Sequence, residues 1–128
     1  MANDLSPRVK KGTYGELLVI LRLLEHDVQA TYTLKDSGND LIAAKGYSIK
    51  TIQVKTTSKK RWGHLPGRHK KYHILALVKL RGEGMHVSLD QSTIYLLDRD
   101  QAGGRKTISE STVGGFKLED RIEGLFGT

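Results

Sequence analysis

Apolar positions crowd the stretch GTYGELLVILRLLEH, and Leu17, Ile20, Leu21 and Leu24 recur there at helical spacing. They predict a first helix over Gly12–His26 with those residues on its buried stripe. Glu16 sits one turn below Ile20, on the boundary between core and solvent. Alternation of Ala30, Tyr32 and Leu34 predicts a strand over Ala30–Leu34, and KDSGND supplies turn chemistry after it. DLIAA predicts a short strand, Asp40–Ala44, and KGYS turns the chain into a third strand over Ile49–Thr56. The three form a meander after the helix. TSKKRWGHLPGRHKK, residues 57–71, is irregular, because Gly63, Pro66 and Gly67 oppose a helix. YHILALVKL, Tyr72–Leu80, is nearly all apolar and predicts a strand buried on both faces, closed by RGEG. MHVSL and TIYLLD are two further strand candidates, Gly103 and Gly104 open a loop, and Lys117–Phe126 predicts a closing helix with Leu118, Ile122 and Leu125 on one side. A helix, several strands and a helix imply an α/β or α+β sandwich.

Charge changes this picture more than size does. The 128 residues suit one domain with a modest core, and no internal repeat is evident. Lys and Arg number 21 against 14 Asp and Glu, a net charge of +7, which points to a polyanionic partner, nucleic acid ahead of an anionic membrane. The absence of cysteine removes disulfides, zinc–thiolate sites and thiol catalysis. No apolar run approaches the roughly 20 residues of a membrane span, and MANDLSPRVKK has no signal-peptide core, so the expectation is a cytoplasmic protein.

Candidate chemistry centres on the third strand. Side chains alternate with period two, so Gln53 and Lys55 share the face opposite Ile52 and Val54, about 6.5–7 Å apart. If DLIAA lies beside this strand, Asp40 reaches the same face near Gln53, and Glu16 approaches from the helix. Two carboxylates, an amide oxygen and an ammonium suit phosphodiester hydrolysis. Mg²⁺ prefers oxygen ligands and keeps several waters, and an ammonium beside it steadies charge on the attacked phosphate.

The GE of the helix, GND before an apolar strand and QVK ending a strand resemble the PD-(D/E)XK nuclease superfamily. Spacings of 24 residues from Glu16 to Asp40 and 13 from Asp40 to Gln53 fit it. KKGTYGELLVILRLLEH is also similar to archaeal Holliday-junction resolvases, and QVKT to the intron-encoded homing endonucleases in which Gln replaces the usual acid. The resemblance implies an α/β fold with a restriction-endonuclease-like core, a mixed central β-sheet flanked by helices. It implies a single nuclease domain over residues 1–128, with its catalytic core at about 8–57. It makes Asp40, Gln53 and Glu16 metal ligands and Lys55 the catalytic lysine, with Mg²⁺, or Mn²⁺ in its place, as cofactor. Asn39 stands where the family has proline, and no helix is evident after the lysine strand.

The loop at 57–71 follows that strand directly and carries Lys59, Lys60, Arg61, Arg68, Lys70 and Lys71, with Trp62, His64 and His69 for stacking or hydrogen bonding. Arg8, Lys10 and Lys11 form a second basic cluster ahead of the helix. These are the expected DNA contacts. His64, His69 and His73 do not make a convincing zinc set, and no P-loop or dinucleotide fingerprint is present. The function expected is a metal-dependent endonuclease acting on duplex or branched DNA. A junction resolvase and a non-catalytic basic nucleic-acid-binding module are the rivals. Cutting both strands needs two sites, so a homo-oligomer is expected, a dimer or a dimer of dimers.

Overall fold

The first helix begins earlier than its apolar residues suggest. The computed structural model describes residues 6–34, 40–83 and 86–127, and the turn expected at KDSGND falls outside them except for Asp40. Helix α1 spans Pro7–Glu25. The Ser6 hydroxyl accepts from Val9 N–H at 3.2 Å, and Pro7 occupies a first-turn position whose N–H needs no partner. Arg8, Lys10 and Lys11 therefore ride on the first turns of α1 rather than preceding it.

The buried arc of α1 also differs from expectation. Gly15, Leu18, Val19 and Leu23 face the core, while Leu17, Leu21 and Leu24 are each about half exposed. The helix is apolar nearly all round between Leu17 and Leu24, so periodicity alone does not select an arc. Two contacts do. Gly15 lies against Thr56, and Arg22 donates to the carbonyls of Leu89 (2.6 Å) and Ser92 (3.2 Å).

Strands β1 (Gln29–Tyr32), β2 (Leu41–Lys45) and β3 (Ser48–Thr57) form the expected antiparallel meander, each within two residues of its predicted bounds. Strand β4 is only Arg61–Trp62. Strand β5, Ile74–Glu83, lies parallel to β3, with Lys55 opposite Leu77. The segment RGEG does not close β5, because Arg81 and Gly82 still pair with Ser88 and Val87. HVSL and TIYLLD, from two expected strands, are parts of one strand, β6 (His86–Asp98), which pairs along β5 across a register shift at Lys79/Arg81, and Met85 of the expected MHVSL lies outside the described residues. A short helix α2, Arg99–Ala102, is capped by Asp98 and ends on Gly103 at φ +65°, a left-handed position that favours glycine. Strand β7, Ile108–Ser109, pairs with β4. The closing helix is a 3₁₀ turn, Leu118–Asp120, followed by α3, Ile122–Phe126. It buries Leu118, Ile122 and Phe126, with Leu125 only partly covered.

The main sheet has the order β1-β2-β3-β5-β6, mixed and flanked by helices, as the sequence led us to expect. One core lies under α1 and α3, from Leu18, Leu23, Leu41, Ile52, Ala76, Leu96 and their neighbours. A second lies on the other face, around Trp62, Leu77, Tyr95 and Ile108. The β4–β7 pair closes this second core. Glu110 Oε2 accepts from Arg81 at 2.6 Å and from the Tyr95 hydroxyl at 2.8 Å. Burial, then that carboxylate, push the Tyr95 phenol up to about 12, so it stays a donor.

Candidate active site

The candidate site forms where the meander frays. Strand β2 starts at Leu41, opposite Ile52, so β3 beyond Ile52 has no strand on that side. Asp40 continues the ladder by one step: its N–H donates to Ile52 O at 3.0 Å. Its side chain then takes up what the missing strand leaves. Asp40 Oδ2 accepts from Val54 N–H at 2.7 Å and from Gln53 Nε2 at 3.1 Å. A carboxylate thus satisfies the first open donor on this edge of β3. Gln53 and Lys55 project from the face opposite Ile52 and Val54, as expected, and both are half-buried.

Glu16 enters from α1, which lies on the Val54 face. It reaches the open edge because β3 has no neighbour there. A groove of about 500 Å³ holds Glu16 and Lys55 together with Arg8, Lys11, Gly12, Thr57, the Trp62 edge and His64. Burial, and secondly the negative charge of Asp40, hold the Glu16 carboxyl above its ordinary value of 4.5. Tyr32, on β1, has its phenol raised by burial, then by Glu16 and Asp40. The three therefore lie within one another's field. Sequence reasoning missed Tyr32, whose only signal was its place in an alternating strand. Among the described residues neither Glu16 nor Asp40 makes an ion pair, and no three His, Asp or Glu side chains gather.

The basic segment does not act as one loop. Lys59, Lys60 and Arg61 are exposed near the Thr57 end of β3. Arg68, Lys70 and Lys71 are exposed at the other end, near the start of β5, where Arg99 donates to the carbonyls of Arg68 and Lys70. They do not line the groove. Trp62, expected to stack on a base, is a core residue. It is 2% exposed, its indole N–H donates to Val78 O at 3.0 Å, and its ring meets Tyr95 edge-on at 5.9 Å. His64 stands at the groove with φ +51°, a left-handed backbone uncommon outside glycine.

The same overall fold is known elsewhere. It is similar to that of the bacterial homing endonuclease I-Ssp6803I. The TM-score is 0.65 and the identity 16%, over 91% of this chain and 90% of I-Ssp6803I. At that identity the likeness is one of fold. Its span takes in far more of the chain than residues 8–57, on which the sequence resemblance rests. No family model matches the sequence, and no curated protein does.

Glu16 carries a pH dependence whose sign follows from its environment. In the unfolded chain it loses its proton near 4.5, and in the fold it holds the proton to higher pH. The folded state therefore binds more protons in that interval, and stability falls as pH rises through it. Glu16→Gln, which has no proton to lose, should match the wild type near pH 4 and exceed it in thermal stability at pH 7. Equal melting temperatures at pH 7 would remove the electrostatic strain assigned to this carboxylate.

Proposed function

We propose that the protein is a divalent-metal-dependent DNA endonuclease of the PD-(D/E)XK type, in its QxK form. The observation that carries this reading is the hydrogen bond between Asp40 and Gln53 at the open edge of β3, with Glu16 in the field of Asp40 and sharing a groove with Lys55. A carboxyl whose proton affinity is raised by burial and by the neighbouring Asp40 charge, with neither carboxylate in an ion pair among the described residues, fits a divalent cation site. Asp40, Glu16 and the carbonyl oxygen of Gln53 would hold the ion, Mg²⁺ or Mn²⁺. When bound, the ion supplies Lewis-acid stabilisation of the attacked phosphate and a lowered pKa for its water.

The remaining work falls to the chain. The Lys55 ammonium faces the same groove and stabilises negative charge on the phosphate oxygens while positioning the attacking water. Arg8 and Lys11, one α1 turn and more ahead of Glu16, hold the DNA backbone in the groove, and Lys59, Lys60 and Arg61 extend the basic surface beyond Thr57. The net charge of +7 serves the same partner. We take residues 1–128 to act as one nuclease domain in the cytoplasm.

The test is incubation with supercoiled plasmid and with a four-way junction, each with Mg²⁺, with Mn²⁺ and with EDTA. Metal-dependent nicking or linearisation of plasmid is expected. Cutting confined to the junction would identify a resolvase, and salt-sensitive binding without cleavage in any metal would identify a non-catalytic module.

Cutting both strands requires two such sites, and the exposed apolar surface suggests how they are brought together. Leu17, Leu21 and Leu24 on α1 are 50%, 48% and 56% exposed, and Ile49 on β3 is 59% exposed. Ile20, Leu24, Ala30, Ile42 and Ile49 line a hollow of about 520 Å³ between them. We propose that a second copy covers this surface in a symmetric dimer or a dimer of dimers. Leu21→Glu should turn the assembly into monomers in sedimentation at micromolar concentration. Wild type that already sediments as a monomer defeats the proposal.

A further inference from the structure

Lys79 is a lysine in an unusual place. It is 7% exposed, on β5 opposite Thr57, and its Nζ donates to the carbonyls of Ser58, at 3.2 Å, and Lys59. An ammonium has three donors, so two carbonyls do not exhaust it. Among the described residues no carboxylate lies within ion-pairing distance of it. A buried charge without a counter-charge is costly, and an anion is what relieves it.

The space beside Lys79 is built to receive one. A hollow of about 460 Å³ is lined by Lys11, Ser58, Lys79, Arg81 and His86, among others. Lys11 Nζ donates to the Ser58 hydroxyl at 2.8 Å, which sets that ammonium over the hollow. Arg81, also on the lining, is held by Glu110 Oε2 at 2.6 Å, and no Asp or Glu is among the described residues that line the hollow. Lys11 also lines the groove that holds Glu16 and Lys55, so the two spaces adjoin. From Lys55 to Ser58 is three residues of nearly extended chain, roughly 10 Å.

We propose that this hollow is a phosphate subsite for the DNA backbone, close along the strand to the bond that is cut. It rests on the endonuclease reading and adds to it where the strand runs after leaving the metal site. Lys11 and Lys79 are its cations, and Ser58 is the hydroxyl between them. Because Lys79 also holds the carbonyls of Ser58 and Lys59, the subsite and the start of the basic segment are one rigid unit. A phosphate arriving there registers the strand against Lys55.

Ser58 is exposed and lies outside the Glu16–Lys55 groove, so changing it leaves Glu16 and Lys55 themselves in place. Duplex DNA binding is measured by fluorescence anisotropy in EDTA, where nothing is cut, between about 50 and 200 mM salt. Ser58→Asp places a carboxylate beside Lys11 and should weaken binding about tenfold at the low-salt end. It should also shrink the slope of log K against log salt by about 0.9, the share of one phosphate. Ser58→Asn, matched to that aspartate in size but uncharged, removes the hydroxyl alone and should weaken binding clearly less than Ser58→Asp, with the wild-type salt slope. If Ser58→Asp binds with wild-type affinity and slope, the subsite is wrong and the endonuclease reading stands. If Ser58→Asn loses as much as Ser58→Asp, loop shape and not charge is responsible, and the subsite is again wrong. Wild type that shows no salt-dependent binding to DNA overturns the reading beneath it as well.

Discussion

Lys55→Met should lower DNA cleavage by roughly 10²–10³-fold, the loss that follows removal of one preorganised donor to a developing negative charge. The substitution keeps the stem, which lies beside Leu77 on β5, and removes only the ammonium. Folding stability should hold or rise, because a half-buried charge disappears. DNA affinity should fall only a few-fold, since one phosphate contact among several is lost. The separation of the two effects gives the test its force. A general weakening of the basic surface lowers affinity and leaves the rate at saturating DNA intact, whereas loss of the catalytic ammonium does the reverse. Asp40→Asn would abolish cleavage too, but it also alters the acceptor for Val54 N–H and Gln53, so its stability must be read alongside. Cleavage by Lys55→Met at the wild-type rate, with DNA saturating, would end the assignment of Lys55.

What the sequence disclosed and what it hid divide along the range of the interactions involved. Asp40 and Gln53 were legible because a short antiparallel meander sets them one register step beyond Leu41 and Ile52. Nothing distant is needed to bring them together. The arc of α1 was not legible, since nearly every position from Leu17 to Leu24 is apolar and the choice is made by Gly15 and Arg22 through β3 and β6. Strand β6 looked like two strands because Asp90 and Gln91 are polar at its middle, where it is exposed to solvent. Trp62 looked like a surface aromatic among Lys60, Arg61 and His64. Its burial depends on β4 pairing with β7, and on Tyr95, far along the chain. Lys79, within the strongest apolar run, gave no sign that it would clasp the backbone of Ser58 and Lys59.

Gly15→Ala should destabilise the protein and slow it at once. In an isolated helix the change is favourable by up to about 1 kcal/mol. Here a Cβ at Gly15 would stand 1.8 Å from Thr56 Oγ1, 2.9 Å from its Cβ and 3.1 Å from its Cγ2. Rotating the threonine does not clear the site, because its Cβ is fixed by the backbone of β3. The helix has to retreat, and overpacking of this kind costs about 1–3 kcal/mol, more than the helical gain offsets. Glu16 is the next residue, so the retreat also withdraws a carboxylate from the groove. A displacement of that order typically costs about 10²-fold in rate, well below the melting temperature. Thr56→Ala alone should be close to neutral in stability, for it deletes a buried hydroxyl with no partner among the described residues. Combined with Gly15→Ala it should restore part of both stability and rate, with a coupling of about 0.5–3 kcal/mol in the double-mutant cycle. The contact between Gly15 and Thr56 thus fixes how near Glu16 comes to Asp40. Gly15→Ala with wild-type melting and wild-type cleavage would show that α1 tolerates the shift and that this approach is not what builds the site.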